Sequence, residues 1–199
     1  MNWKWLLGCL ACLGFYASLT AQVHVGVNGG GGLDNLVSLR ASIPMEVAFS
    51  KTLSLQSGFT FTQQHTPALL FRLGYQRDYR RATIGYLGVP LLVKVRFTMS
   101  PFSLYTFAGP QLDYGAALHV TYIEDGLLNS EKLDFSRWQI ARWNVSAVAG
   151  VGIEKIIHNN CKIRFELLYL LGLTDIDRRS FSSIYTEGKV FNLGFMIPL

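Results

Sequence analysis

Four histidines and a scatter of serines and acids are the material for chemistry in this 199-residue chain. His65 is followed by Thr66, and His119 stands a few residues before Glu124 and Asp125. An ester hydrolase needs a nucleophile within reach of a base that a third group orients. No spacing here marks such a triad, and both histidines fall in long connections where a solvated ring is the ordinary outcome. No catalytic residue is expected. No Cys/His spacing matches a zinc site, so neither metal nor cofactor is expected. The glycine run "NGGGGL" (28–33) lacks the lysine and the following helix of a phosphate loop and reads as a hairpin tip.

More telling is a set of charges at every second position of apolar segments. Arg40, Glu46, Lys94, Arg96, Arg142, Glu154, Arg164 and Glu166 each sit on the polar phase of an alternating stretch. Asp113 and Lys162 share that phase. Such groups could line a conducting path or pair with one another across a filled interior. Which of these holds depends on the elements that position them.

The N-terminus bears on the compartment. "MNWKWLLGCLACLGFYASLTAQ" has a cation at Lys4, an apolar run from Trp5 to Tyr16, and small residues ending at Ala21. This is the pattern of a secretory signal peptide, with residues 1–21 removed and 22–199 forming one domain. Cys9 and Cys12 stand poorly for lipidation, and Cys161 is the single cysteine beyond the signal, so no internal disulfide is expected. Cys161 reads as a small buried or lipid-facing hydrophobe. Half of the residues are hydrophobic and 16% are charged, yet no later segment is apolar for the ~18 residues of a spanning helix. The net charge of +5 is spread along the chain rather than gathered in one motif, so nucleic acid is not an expected partner. An exported, greasy chain without a spanning helix is either a soluble β-protein with a large core or a barrel whose solvent is lipid.

Alternation runs through the whole mature chain. Val37, Leu39, Ala41, Ile43, Met45, Val47 and Phe49 share one face against Ser38, Arg40, Ser42, Pro44, Glu46 and Ala48. In "YLGVPLLVKVRF" (86–97), Leu87, Val89, Leu91, Val93, Val95 and Phe97 oppose Tyr86, Gly88, Pro90, Leu92, Lys94 and Arg96. Pro90 forfeits a ladder hydrogen bond and predicts a local bulge or kink, and Pro44 is expected to do likewise. The pattern repeats about eight times, predicting an all-β fold: an eight-stranded antiparallel up-and-down transmembrane barrel. Short connections near Lys51, Pro101 and Asn159 alternate with long ones at about 65–81, 119–137 and 174–188. Periplasmic turns and extracellular loops have this asymmetry, which puts both termini in the periplasm and the protein in the cell outer membrane.

Glycines decide which face points in. Gly26, Gly58, Gly88, Gly109, Gly150, Gly152 and Gly194 lie among the charges. A narrow lumen needs small residues beside long ones, so the polar face is read as internal. At eight strands the interior is nearly filled, so the charges are expected to pair as a plug. Phe61, Tyr75, Tyr79, Phe97, Trp138 and Trp143 are candidates for interface girdles. Arg72, Arg77, Arg80 and Arg81, with Tyr75 and Tyr79, cluster on the expected outer side, where they could meet lipopolysaccharide phosphates. The C-terminal row Phe191, Leu193, Phe195, Ile197 and Leu199 resembles the signal read by the barrel assembly machinery, the expected partner during biogenesis.

"YLGVPLLVKVRF" (86–97), "FAGPQLDYG" (107–115), "GVGIE" (150–154) and "YLLGLTDI" (169–176) together resemble the PorT-like outer-membrane β-barrel family of Bacteroidota. The resemblance implies an eight-stranded barrel and little about activity. The family usually carries an acid where this chain has Gly88, which leaves a lumen pair with Lys94 in question. The expected role is structural, anchoring or interaction in the outer membrane, and not that of an enzyme. A component of a protein export or surface assembly comes second and an outer-membrane lipid-modifying enzyme third. No protein partner is named by the sequence.

Overall fold

The computed structural model describes residues 22–34, 36–65, 79–124, 127–137, 139–176 and 185–199. The expected signal peptide, Arg72, Arg77, Tyr75 and Trp138 lie outside them. Ten strands follow in chain order: β1 (Gln22–Gly32), β2 (Val37–Ala48), β3 (Leu53–His65), β4 (Tyr79–Pro90), β5 (Leu92–Met99), β6 (Phe102–Glu124), β7 (Leu127–Lys132), β8 (Trp143–Ile156), β9 (Lys162–Gly172) and β10 (Glu187–Pro198). β4 and β5 form one wall strand interrupted at Leu91, and β7 stands off the ring as a partner of β6 alone. Eight antiparallel wall strands remain, and the pairing of β1 with β10 closes them into a barrel. Closure pairs both edges of the sheet, which a wall in lipid requires because nothing in hydrocarbon would satisfy an open edge.

Burial is inverted relative to a soluble protein. Along β9, Lys162, Arg164, Glu166, Leu168 and Leu170 are buried while Ile163, Phe165, Leu167, Tyr169 and Leu171 are exposed. β10 repeats the pattern, with Asn192 and Met196 inside and Phe191, Leu193, Phe195 and Ile197 outside. Glu46 and Lys94 are 0% exposed, whereas Phe59 is 71% exposed. A charge on that outer face would cost roughly 2–4 kcal/mol at the membrane midplane. Phe61, Phe97 and Trp143 are exposed, as girdle residues must be.

The wall departs from expectation at its prolines. Gln56 pairs Leu92 and Thr60 pairs Gly88, so β3 keeps one register across the β4–β5 break. Pairing lapses between these points with no residue inserted: it is a gap, not a bulge. Pro90 has no N–H to give β3, and Ser57 Oγ donates instead to the Pro90 carbonyl at 2.8 Å. On the other side Leu91 N donates to the Pro110 carbonyl at 2.8 Å, so contact with β6 holds. Pro44 does the same on its β1 side, where pairing skips from Val25–Met45 to Asn28–Ser42 in unchanged register. Gly58, opposite Pro44, has φ +131°, open to glycine and strained for other residues. The register shift in this region falls elsewhere, between Gly85 and Tyr86 against β6.

Two other expectations are corrected. The long connection after His119 is largely ordered as a hairpin arm, because β6 runs on to Glu124 and β7 returns along it. His119 and His65 therefore sit on strands rather than in loops. Cys161 lies in the short turn ahead of β9, half-exposed, where its carbonyl accepts a hydrogen bond from Ile157 N at 2.8 Å.

Candidate functional site

The barrel has a turn end, carrying Gln22, Pro198 and the short connections, and a loop end, carrying the long ones. Between them the inward side chains form successive layers. At the turn end five charges converge from four wall strands. Lys94 Nζ lies 2.7 Å from Glu154 Oε2 and 3.0 Å from Glu46 Oε2, and stands 3.6 Å from the centre of the Tyr105 ring. Arg96 contacts both of the same carboxylates. Lys162 Nζ reaches Glu46 Oε1 only at 3.8 Å. Alternation alone places these groups on one face, and the stagger of the strands brings them to one level.

One step up, Arg164 donates to Asn28 Oδ1 and Gln56 Oε1, each at 3.0 Å, and its Nε lies 3.4 Å from Glu166 Oε1. Tyr105 Oη donates to the same Glu166 oxygen at 2.9 Å. Gly152 makes this possible: a Cβ there would collide with the Tyr105 ring. Above lies an apolar layer that includes Leu92, Phe107, Val148 and Leu168. The lumen is thus not polar throughout. The inward phase of these strands carries leucine and valine at mid-height.

The next layer is a relay. Arg40 donates to Thr62 Oγ1 and Gln111 Oε1, each at 2.9 Å. Gln111 Nε2 donates to Asp113 Oδ1 at 2.6 Å, and Ser146 Oγ donates to Asp113 Oδ2 at 2.8 Å. Asn144 continues the chain to Ser146 and Thr186, each at 3.1 Å. The position at Gly88 now has an explanation. It pairs Asp113 across the β4–β6 ladder, and a Cβ on it would strike Asp113 Oδ1. The acid of this level is carried by β6 rather than β4. Position 88 lies six residues, about 20 Å of strand, from Lys94, so an acid there would not have met Lys94.

The loop end is capped. Leu133, Phe135, Ile140 and Ile176 pack on Ile84, Tyr86, Leu118 and Val120, the inner face of β4 and β6. Backbone bonds tie the cap down: Ala141 N to the Ile176 carbonyl at 2.7 Å and Gly115 N to the Arg142 carbonyl at 2.6 Å. Arg142 belongs to this cap and not to the lumen network. It donates to Tyr114 Oη at 3.0 Å and stands 5.3 Å from the Phe135 ring. A void of about 20 Å³, room for about one water, lies in the lumen beside Arg40, Pro44 and Gly58. At the turn end, by contrast, a vestibule of about 440 Å³ opens below Arg96, Glu154 and Lys162.

Seven of the eight charges predicted for the lumen fall in these layers, in three groups of which Tyr105 joins the lower two. Lys162, Asp113, Tyr105 and Gln111 complete them. The first two shared the polar phase in sequence, but the ladder register was needed to pair them and to bring Tyr105 over Gly152. Of the arginine cluster, Arg80 and Arg81 lie on β4 at the loop end. Among the described residues no His/Cys/Asp/Glu group of three could hold a metal ion.

Solved structures that align with this chain include the N-terminal β-barrel domain of Pseudomonas aeruginosa OprF, at 11% identity and TM-score 0.47, covering 89% of this chain and 100% of that one. The outer membrane enzyme PagL aligns at 11% identity and TM-score 0.49, over 88% and 99% of the two chains. A major outer membrane protein from Thermus thermophilus aligns at 12% and 0.49, over 90% and 100%. No curated protein matches the sequence significantly. Residues 17–178 match the family described as outer membrane protein beta-barrel domain, and the inverted burial, closed ring and eight wall strands are what that family requires: this chain belongs to it and is an outer-membrane β-barrel protein.

Proposed function

We propose that the protein serves a structural, anchoring or interaction role in the outer membrane and does not conduct. The carrying observation is the filled lumen. Paired charges, an apolar layer and the Arg40–Asp113 relay occupy successive levels beneath a packed cap. Buried charges hold such a plug because opening it would strip each ion of its partners. The turn end faces the periplasm with both termini, and the loop end faces outward. Planar-bilayer recording tests this: the expected trace has no stable open level, and reproducible single-channel currents would refute it.

The PorT-like resemblance supports the second role, a component of a protein export or surface assembly acting through its loops or turns. Crosslinking in intact cells followed by partner identification separates that role from simple anchoring. Arg72, Arg77, Arg80 and Arg81 are proposed to contact lipopolysaccharide phosphates. One observation favours the lipid-modifying reading. His65 Nδ1 and Thr83 Oγ1 lie 2.9 Å apart near the loop end, and Thr83 pairs with His119 on its other side. That is the spacing of a base and a nucleophile. Lipid A mass spectrometry of cells carrying Thr83→Val against wild type tests it, and identical spectra would dismiss it.

A further inference from the structure

The turn-end cluster does not balance. Lys94, Arg96 and Lys162 face Glu46 and Glu154, three cations against two carboxylates. Both carboxylates are already engaged by Lys94 and Arg96. Lys162 is left with one oxygen at 3.8 Å and no hydrogen-bond partner among the described residues, although it is only 5% exposed. An ammonium has three donors to satisfy, and those that the carboxylates leave unmet face the vestibule that Lys162 lines. His24, 2% exposed and paired across the ladder with Glu46, adds a buried Nδ1 with no partner of its own.

This surplus opens onto space. The vestibule of about 440 Å³ is lined by Lys51, Arg96 and Lys162 against the single carboxylate Glu154, with the Thr98 and Ser103 hydroxyls beside them. Thr98 pairs Ser103, and Ser103 pairs Glu154, so these groups stand in one row across β5, β6 and β8. The layers above block passage further in. The Glu154 carboxylate is already paired with Lys94 and Arg96, so the uncommitted charge facing this space is positive. A small oxyanion would find an ammonium, a guanidinium and hydroxyl donors converging on one side, the combination that suits carboxylate and phosphate.

We propose that the turn-end vestibule is a binding site for a small oxyanion, phosphate or carboxylate, held chiefly by Lys162 and Arg96 and entered only from the turn end. Binding would supply the missing negative charge and satisfy Lys162. This goes beyond a plugged anchor, because it makes the closed barrel a one-sided receptor.

The test is a titration of the detergent-folded, isotope-labelled protein with inorganic phosphate and, separately, acetate, followed by amide chemical shifts at ionic strength held constant with chloride. Saturable shifts centred on Arg96, Glu154 and Lys162 are expected, and the tighter of the two probes identifies the class. Lys162→Gln should weaken binding at least tenfold, Lys162→Arg should retain it, and Lys51→Gln at the rim should weaken it less than Lys162→Gln. Heat-modifiable gel migration verifies that each variant is folded. Linear, unsaturable shifts, shifts centred on the loop end, or equal affinity in Lys162→Gln would overturn the proposal. Retained binding in Lys162→Arg keeps the test decisive should Lys162→Gln fold poorly.

Discussion

Replacing Glu46 by glutamine should be among the most damaging isosteric changes in the barrel. The side chain is 0% exposed and contacts Lys94 at 3.0 Å, Lys162 at 3.8 Å and Arg96. Shape is preserved, so no cavity forms and the effect is electrostatic. Each pair at 3–4 Å has a gross attraction of about 4–6 kcal/mol at an effective dielectric of 20. Most of that offsets the desolvation of the partners. What remains is the cost of leaving cations buried and uncompensated, about 3–5 kcal/mol. The sign of the charge sum sharpens the test. Glu46→Gln takes the cluster from a surplus of one cation to a surplus of two, whereas Lys162→Gln removes the surplus. The first should destabilise by about 3–5 kcal/mol. The second should be close to neutral, and the double variant should recover much of the loss. Equilibrium urea unfolding in detergent, read by tryptophan fluorescence and by heat-modifiable gel migration, measures all three. Glu46→Gln within about 1 kcal/mol of wild type would refute the claim that this cluster anchors the turn end, as would a loss from Lys162→Gln as large as that from Glu46→Gln.

Other outcomes follow from the layers above. Gly88→Asp should destabilise by about 2–4 kcal/mol by crowding Asp113 and placing a second buried carboxylate beside it; Gly88→Asp with Asp113→Gly should recover stability, and unfolding curves of the pair decide. Backbone donors of Arg137 and Ser136 hold the Asp134 carboxyl in the cap below its ordinary range. A lowered value means that its stabilisation is present at neutral pH and disappears only as acid takes the solution down through it; the protection of the Ser136 and Arg137 amides, measured relative to intrinsic exchange at each pH, should therefore fall in acid and hold between neutral and mildly alkaline pH. Replacing Arg72, Arg77, Arg80 and Arg81 together by glutamine should reduce the lipopolysaccharide that co-purifies with the barrel, and unchanged retention sinks that contact.

Alternation of apolar and polar residues, with glycines among the charges, was enough to determine strand number, the inward face and the lipid face. The reason is local: a strand repeats every two residues, so sequence phase maps directly onto side of the wall. The same phase placed Lys94, Arg96, Glu46 and Glu154 together on the inside. It could not tell level. Which acid meets Lys94, why Arg164 joins Glu166 and not Glu46, and why Asp113 answers the vacancy at Gly88 are matters of register between strands, set by the closed ring as a whole. Arg142 shows the limit most plainly. It keeps the polar phase of its strand, yet it stands just beyond the start of β8, where the cap and Tyr114 claim it. The prolines show it again. That Pro90 breaks pairing follows from its missing N–H, but that the register survives on both sides depends on β6 holding the strand while Ser57 bridges the gap. Phase is carried by each segment alone; height, pairing and the turn-end surplus of charge exist only once eight staggered strands close around them.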